Sequence, residues 1–276
     1  MQNSAVLVAV KEGGKGSLAG WRTLDWSGPI CGLCFVAISY GVIVPLAGRS
    51  YLWAVFFQSG WIGVAIMFFA GWPSWLLYAR HLLTKGREEL LREELLPGEF
   101  GKLILKQDAL LLARRLQATL GDRIEEPLPR RLYRALSHFG VRGDVSETVD
   151  LLEKQASADA QELDTSYTMV RTFIWALPIL GFIGTVMGIG ASIGAFSTQL
   201  RSAEDLVAVK SALGVVIEGL ALAFNTTLLG LVTSLVLVFA SNALFKAEQA
   251  YLARIREYCT EHLELRLKGD PSQTES

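Results

Sequence analysis

Charge is the first thing this sequence withholds. From Thr172 to Leu200 no residue is charged, and a helix of that length crosses the roughly 30 Å hydrocarbon core of a bilayer. Acids are scarce in all the long apolar runs; Glu218 is the one carboxylate inside them. Three histidines and three cysteines are spread along the chain, with no phosphate loop, metal-ligand spacing or nucleophile triad. Cys31 and Cys34 form a CxxC inside an apolar run, with no second pair beside it. They read as small buried residues, and Cys259 stands alone in a charged helix. No catalytic residue, metal site or cofactor is expected, and an enzyme is not the expected class. A formal net charge of −1 and the lack of a basic run leave no case for nucleic-acid binding.

Apolar residues make up 51% of the 276, charged ones 19%, and the mean hydropathy is +0.35. Those values suit a polytopic membrane protein rather than a soluble domain. The expected fold is all-α, with four transmembrane helices and a helical cytoplasmic domain between the second and third. Residues 1–27 form a cytoplasmic N-terminal segment, with no sign of a cleavable signal peptide and with Trp21 and Trp26 at headgroup depth. Residues 28–79 form a hairpin of spans 1 and 2 that turns at Arg49-Ser50, with Pro45 and Pro73 placed to kink it. Residues 80–170 mix both charge signs at helical spacing, with breaks at Pro97-Gly98 and Pro127–Pro129. A helix capped by Ser146 is expected to run unbroken into span 3. Residues 171–245 hold spans 3 and 4, and 246–276 form a charged cytoplasmic helix running into water, then a polar tail. Lys and Arg flank the spans on the side of both termini and the large loop, which places that side in the cytoplasm.

Span 3 is not uniformly bulky. Pro178, Gly181, Thr185, Gly188, Ser192, Ala195 and Gln199 are spaced three and four apart, which puts them on one stripe of a helix. Phe173, Ile174, Leu177, Leu180, Phe182, Ile183, Val186, Met187 and Ile189 are assigned to the other, lipid-facing side. Span 4 repeats the plan with Ala223, Thr227, Gly230, Ser234 and Ser241, and with Asn225, Thr226 and Thr233 close beside them. Such stripes have two uses: a packing seam that lets helices approach, or the wall of a narrow polar path.

LPILGFIGTVMGIGASIGAF in span 3 resembles the signature of the MotA/TolQ/ExbB proton-channel family, and VIEGLALAFNTTLLGLVTSLV resembles its second signature, more loosely. The resemblance covers about residues 145–245. It implies an inner-membrane ion channel subunit, for protons or sodium, that assembles as a homopentamer around a dimer of a single-span partner (MotB-, TolR- or ExbD-like). In such complexes the partner's membrane-embedded Asp or Glu is the titrating group, which fits the shortage of acids here, because hydroxyls alone do not hold a proton. By resemblance the pore threonines are Thr185 and Thr227, with Thr226 a competing choice for the second. Asn225, Ser192, Ser234 and Glu218 complete the expected ion pathway. Pro178, Gly181, Gly184, Gly188 and Gly230 are the expected packing positions. The rival class is a non-conducting membrane scaffold.

Overall fold

The structure is a computed structural model and describes residues 20–38, 60–88, 91, 95, 96, 103–201 and 206–268. The expected reversal at Arg49-Ser50, Pro45, the Pro97-Gly98 break and the polar tail lie outside them. The elements are α1 (Gly20–Ile38), α2 (Gly60–Glu88), α3 (Lys106–Leu120), a 3-10 turn (Gly121–Glu125), α4 (Pro127–Arg142), α5 (Val145–Ser166), α6 (Thr168–Arg201), α7 (Leu206–His262) and a second 3-10 turn (Glu264–Arg266). Among the described residues the fold is all-helical, and the single β-type contact is an isolated bridge between Ile104 and Leu267. Three helical stretches are long and apolar enough to cross a membrane: Gly60–Arg87, Val145–Arg201 and Leu206–Arg266. A shorter apolar helix covers Pro29–Ile38. The chain divides into two compact units, one of residues 1–25, 78–167 and 243–276, the other of residues 26–77 and 168–242.

In the first unit each helix is bounded by the chemistry of its ends. Pro127 and Pro129 sit in the first turn of α4, where a missing N–H leaves no bond unmade, so the proline pair starts a helix as well as ending the previous turn. Gly143 ends α4 at φ 79°, the left-handed conformation that a side chain disfavours, and its N–H donates to the Phe139 carbonyl at 2.7 Å. The cap of α5 is Asp144, not Ser146: the Asp144 carboxylate accepts from the Ser146 N–H at 2.8 Å and the Glu147 N–H at 3.2 Å. A carboxylate two residues earlier reaches those free donors and suits the positive end of the helix dipole better than a hydroxyl. Asp144→Ala is expected to destabilise this unit by about 1 kcal/mol, read as faster amide exchange confined at first to the start of α5.

The expected unbroken helix from the cap into span 3 is interrupted at one residue. Tyr167 stands between α5 and α6, and its N–H reaches back only three residues, to the Asp164 carbonyl at 3.2 Å.

The core of the first unit is built by spacing. On α3 the small residues Ala109 and Ala113 bring α4 close, and a Cβ on Gly140 of α4 would lie 2.5 Å from Leu110 Cγ. Leu128, Leu132, Leu136 and Phe139 are fully buried along α4, and Leu152 of α5 joins them. Each such side chain contributes about 1.5–3 kcal/mol by leaving water. The end of α7 is part of this core, which corrects the expectation of a solvated helix: Tyr251, Ile255, Cys259 and Leu263 are buried one turn apart. The chain after α7 is held too, since the Ile104 N–H donates to the Arg266 carbonyl at 2.7 Å and the Lys268 N–H to the Ile104 carbonyl at 3.2 Å. Burial pushes the Cys259 thiol up to about 12, so it packs as a neutral, unreactive group. Asp159 of α5 is buried but well paired, accepting from Arg130 Nη2 at 2.8 Å and Arg131 Nε at 2.7 Å.

Candidate functional site

In the second unit α6 and α7 run antiparallel along a seam made of absent side chains. A Cβ on Gly181 would lie 3.0 Å from the Thr226 carbonyl oxygen and Thr227 Cα, and one on Gly188 would lie 3.2 Å from Ala223 Cβ. One on Gly184 would strike the Thr226 side chain, one on Gly219 the Ser192 hydroxyl, and one on Gly230 would lie 2.6 Å from the Leu177 carbonyl oxygen. Backbones this close exchange dispersion and short polar contacts that lipid cannot replace. Gly181, Gly184, Gly188 and Ser192 are buried, whereas Phe182, Ile183, Val186 and Met187 are exposed, as a lipid-facing side requires. Phe173 and Leu177 are corrections: both were assigned to the lipid side and both are buried. They extend the seam by one turn each, and Phe173 stacks edge-on with Phe69 and tilts against Trp72 of α2. Gln199, at the far end of the stripe, is exposed.

Pro178 has a consequence beyond shape. Without an N–H it cannot bond the Ile174 carbonyl four residues earlier. Ser234 of α7 fills that gap, its hydroxyl donating to the Ile174 oxygen at 2.8 Å. The proline opens an acceptor on one helix and the serine closes it from the other. Ser192 turns its hydroxyl to its own helix, donating to the Gly188 carbonyl at 2.7 Å.

The oxygen-rich point of the seam is where Thr185 meets Thr227. Their hydroxyls are in direct contact. Thr185 also reaches the Ala223 carbonyl at 3.2 Å and the Gly181 carbonyl at 3.3 Å, and Thr227 reaches the Gly181 carbonyl at 3.1 Å. Two hydroxyls and two carbonyls thus converge, with only two protons to donate and a larger number of lone pairs to offer. Both threonines remain partly accessible. Such a set of neutral oxygens can coordinate a hard cation, or donate to a carboxylate brought to it. It has no group of its own that titrates.

Thr226 does not touch the two hydroxyls but lies against the same carbonyls. It is 1% exposed, its hydroxyl is 2.8 Å from the Ala223 carbonyl of its own helix and 3.4 Å from the Gly181 carbonyl, and its side chain fills the space that Gly184 leaves. Asn225 is buried, but two residues from Thr227 on a helix is about 200° of rotation. It therefore belongs to the flank with Leu229 rather than beside the polar stripe, as the sequence pattern had placed it. Glu218 is exposed, and nine residues of helix, about 13 Å, separate it from Thr227. Sequence reasoning also missed the buried charges of the first unit, among them Arg80 and Glu248. Their spacing is that of an amphipathic helix face, and nothing local marks them as facing inward.

The family model of the MotA/TolQ/ExbB proton channel family matches residues 123–257. The match takes in α4 and α7 as far as Glu257, beyond the 145–245 segment that carries the motifs. No curated protein and no solved structure matches the chain. Across α4 to α7, then, the chain is similar to the MotA/TolQ/ExbB proton channel family.

Proposed function

We propose that this chain is a proton- or sodium-conducting subunit of an energy-transducing complex in the bacterial inner membrane, and that it converts ion flow into mechanical work. Four spans, at 28–79 and 171–245, cross the membrane, with both termini and the helical segment 80–170 in the cytoplasm. A pentamer of this chain surrounds a dimer of a single-span partner, whose membrane-embedded Asp or Glu carries the proton or binds the ion. Thr185 and Thr227 receive that carboxylate, while Ser192, Ser234, Asn225, Thr226 and Glu218 shape the path and its mouth. The observation that carries the reading is the Thr185–Thr227 hydroxyl contact, set among carbonyls in a span free of charge. One charge crossing 100 mV releases about 2.3 kcal/mol, comparable to a few net hydrogen bonds. Several crossings must therefore be pooled for large displacements, which a ring of subunits permits.

A second reading, a scaffold without conduction, is favoured by the Ser234–Ile174 bond and the glycine seam, since both are explained by packing alone. Reconstitution separates the two. The chain and its partner, placed together in liposomes under a proton or sodium gradient, are expected to conduct, and replacing the partner's membrane acid with its amide is expected to stop conduction. A tight ring-and-partner assembly that passes neither ion would overturn the channel reading and leave the scaffold.

A further inference from the structure

The first unit contains a buried carboxylate that the seam does not use. Glu248 of α7 is 5% exposed, Arg80 of α2 is 4% exposed, and their closest approach is 3.5 Å. Thr84, one turn beyond Arg80, donates its hydroxyl to Glu248 at 3.1 Å. Arg80 is shared: its other nitrogen donates to the Ser166 carbonyl at 2.9 Å, where α5 ends, and its guanidinium lies 4.4 Å from the centre of the Tyr167 ring. Arg80 thus serves a carboxylate, a carbonyl and an aromatic face at once. Beside the cluster is a cavity of about 30 Å³, its polar side formed by Thr84, Arg87, Asp159, Ser166, Glu248 and Tyr251 and its apolar side by Pro127, Leu163 and Leu252. That is room for a water molecule, which needs about 10–15 Å³. The Tyr251 hydroxyl, on a side chain 3% exposed, has no hydrogen-bond partner among the described residues. A buried hydroxyl left so costs about 1–3 kcal/mol, which a water would recover.

We propose that Glu248 is a proton-binding site, served by a water held in this cavity between the Glu248 carboxylate and the Tyr251 hydroxyl. The proton goes to a carboxylate oxygen of Glu248, and Arg80 keeps its bonds to Ser166 and Tyr167 when the ion pair is lost. The inference does not depend on ion conduction through the second unit.

The charges around the cavity single out Glu248. Asp159 of α5 is satisfied by Arg130 and Arg131 at 2.8 Å or less. Glu126, just before α4, is the nearest rival: it faces Arg87 at 3.9 Å with its side chain 27% exposed, its Oε2 has no hydrogen-bond partner among the described residues, and burial raises its carboxyl too. Glu248 alone combines near-complete burial with one long ion pair. Burial pushes its carboxyl above the ordinary range, and Arg80, the Tyr167 hydroxyl, Thr84 and Arg87 pull it back only in part. The folded protein then holds one more proton than the unfolded chain between the ordinary glutamate value and the raised one. This group's contribution to stability is therefore complete below that interval and declines as pH rises through it.

Infrared difference spectroscopy of the full-length protein in lipid, titrated against pH, tests this. The wild type is expected to show a protonated-carboxyl stretch that titrates above the range of surface carboxylates. Glu248→Gln should lose that band, and Glu126→Gln should keep it. Thr84→Val, which removes a donor that favours the ionised form, should move the midpoint further up while leaving the band in place, and does so independently of whether Glu248→Gln folds well. A band that survives in Glu248→Gln, or a midpoint within the surface range that Thr84→Val does not move, overturns the assignment.

Discussion

Exchanging Thr185 for valine is expected to cut ion flow through the reconstituted complex by roughly ten- to a hundredfold while the complex still assembles. Valine keeps the shape and removes the hydroxyl, so the Gly184 and Gly188 contacts on either side persist. What is lost is a hydrogen bond to a charged group, worth about 1.5–3 kcal/mol, and each 1.4 kcal/mol is about tenfold in rate. Thr227→Val should reproduce the effect. Because the two hydroxyls touch each other and share the Gly181 carbonyl, the double variant should be little worse than either single one. Thr185→Ser should restore most of the flow. Thr226→Val is the control, since its hydroxyl is buried, touches neither Thr185 nor Thr227, and is held mainly by the Ala223 carbonyl of its own helix, with Gly181 farther off at 3.4 Å. Proteoliposome flux under an imposed gradient measures all five. Wild-type flux in Thr185→Val, or an equal loss in Thr226→Val, would remove the hydroxyl pair from the ion path.

The largest structural effect is expected at Gly230. A single methyl there would lie 2.6 Å from the Leu177 carbonyl oxygen, a backbone atom that has no rotamer to yield. The α6 and α7 axes must separate, which weakens the Ser234–Ile174 bond and the threonine cluster together. Overpacking of this kind costs about 1–3 kcal/mol, and the lost polar contacts add to it. Gly190→Ala is the matched control, because a Cβ at Gly190 meets nothing within 4 Å. Denaturant unfolding in micelles should show Gly230→Ala clearly less stable than Gly190→Ala. Equal stability would mean that the seam is not as close as its geometry indicates.

Much of this protein was legible before any coordinates. The apolar lengths announced membrane helices, and the spacing of three and four put Gly181, Thr185, Gly188 and Ser192 on one side of a helix. The misplacements have a common cause. Phe173 and Leu177 were read as lipid-facing because they are bulky, yet a seam one turn longer buries them just as well. The end of α7 was read as solvated because it is charged, but Tyr251, Ile255, Cys259 and Leu263 recur along it and find a core. An apolar residue records that it avoids water, not whether lipid or protein covers it.

By itself, the sequence determined that this chain is helical and membrane-embedded, that its two small-residue stripes exist, and that the spans carry almost no titrating acid. Periodicity decides these, since it sets which residues share a side of one helix. Only the tertiary structure decided that Thr185 meets Thr227 and not Thr226, that Ser234 closes the carbonyl opened by Pro178, and that Glu248 is buried against Arg80. Those are matters of register between helices, and register is set by how closely glycine lets two backbones approach.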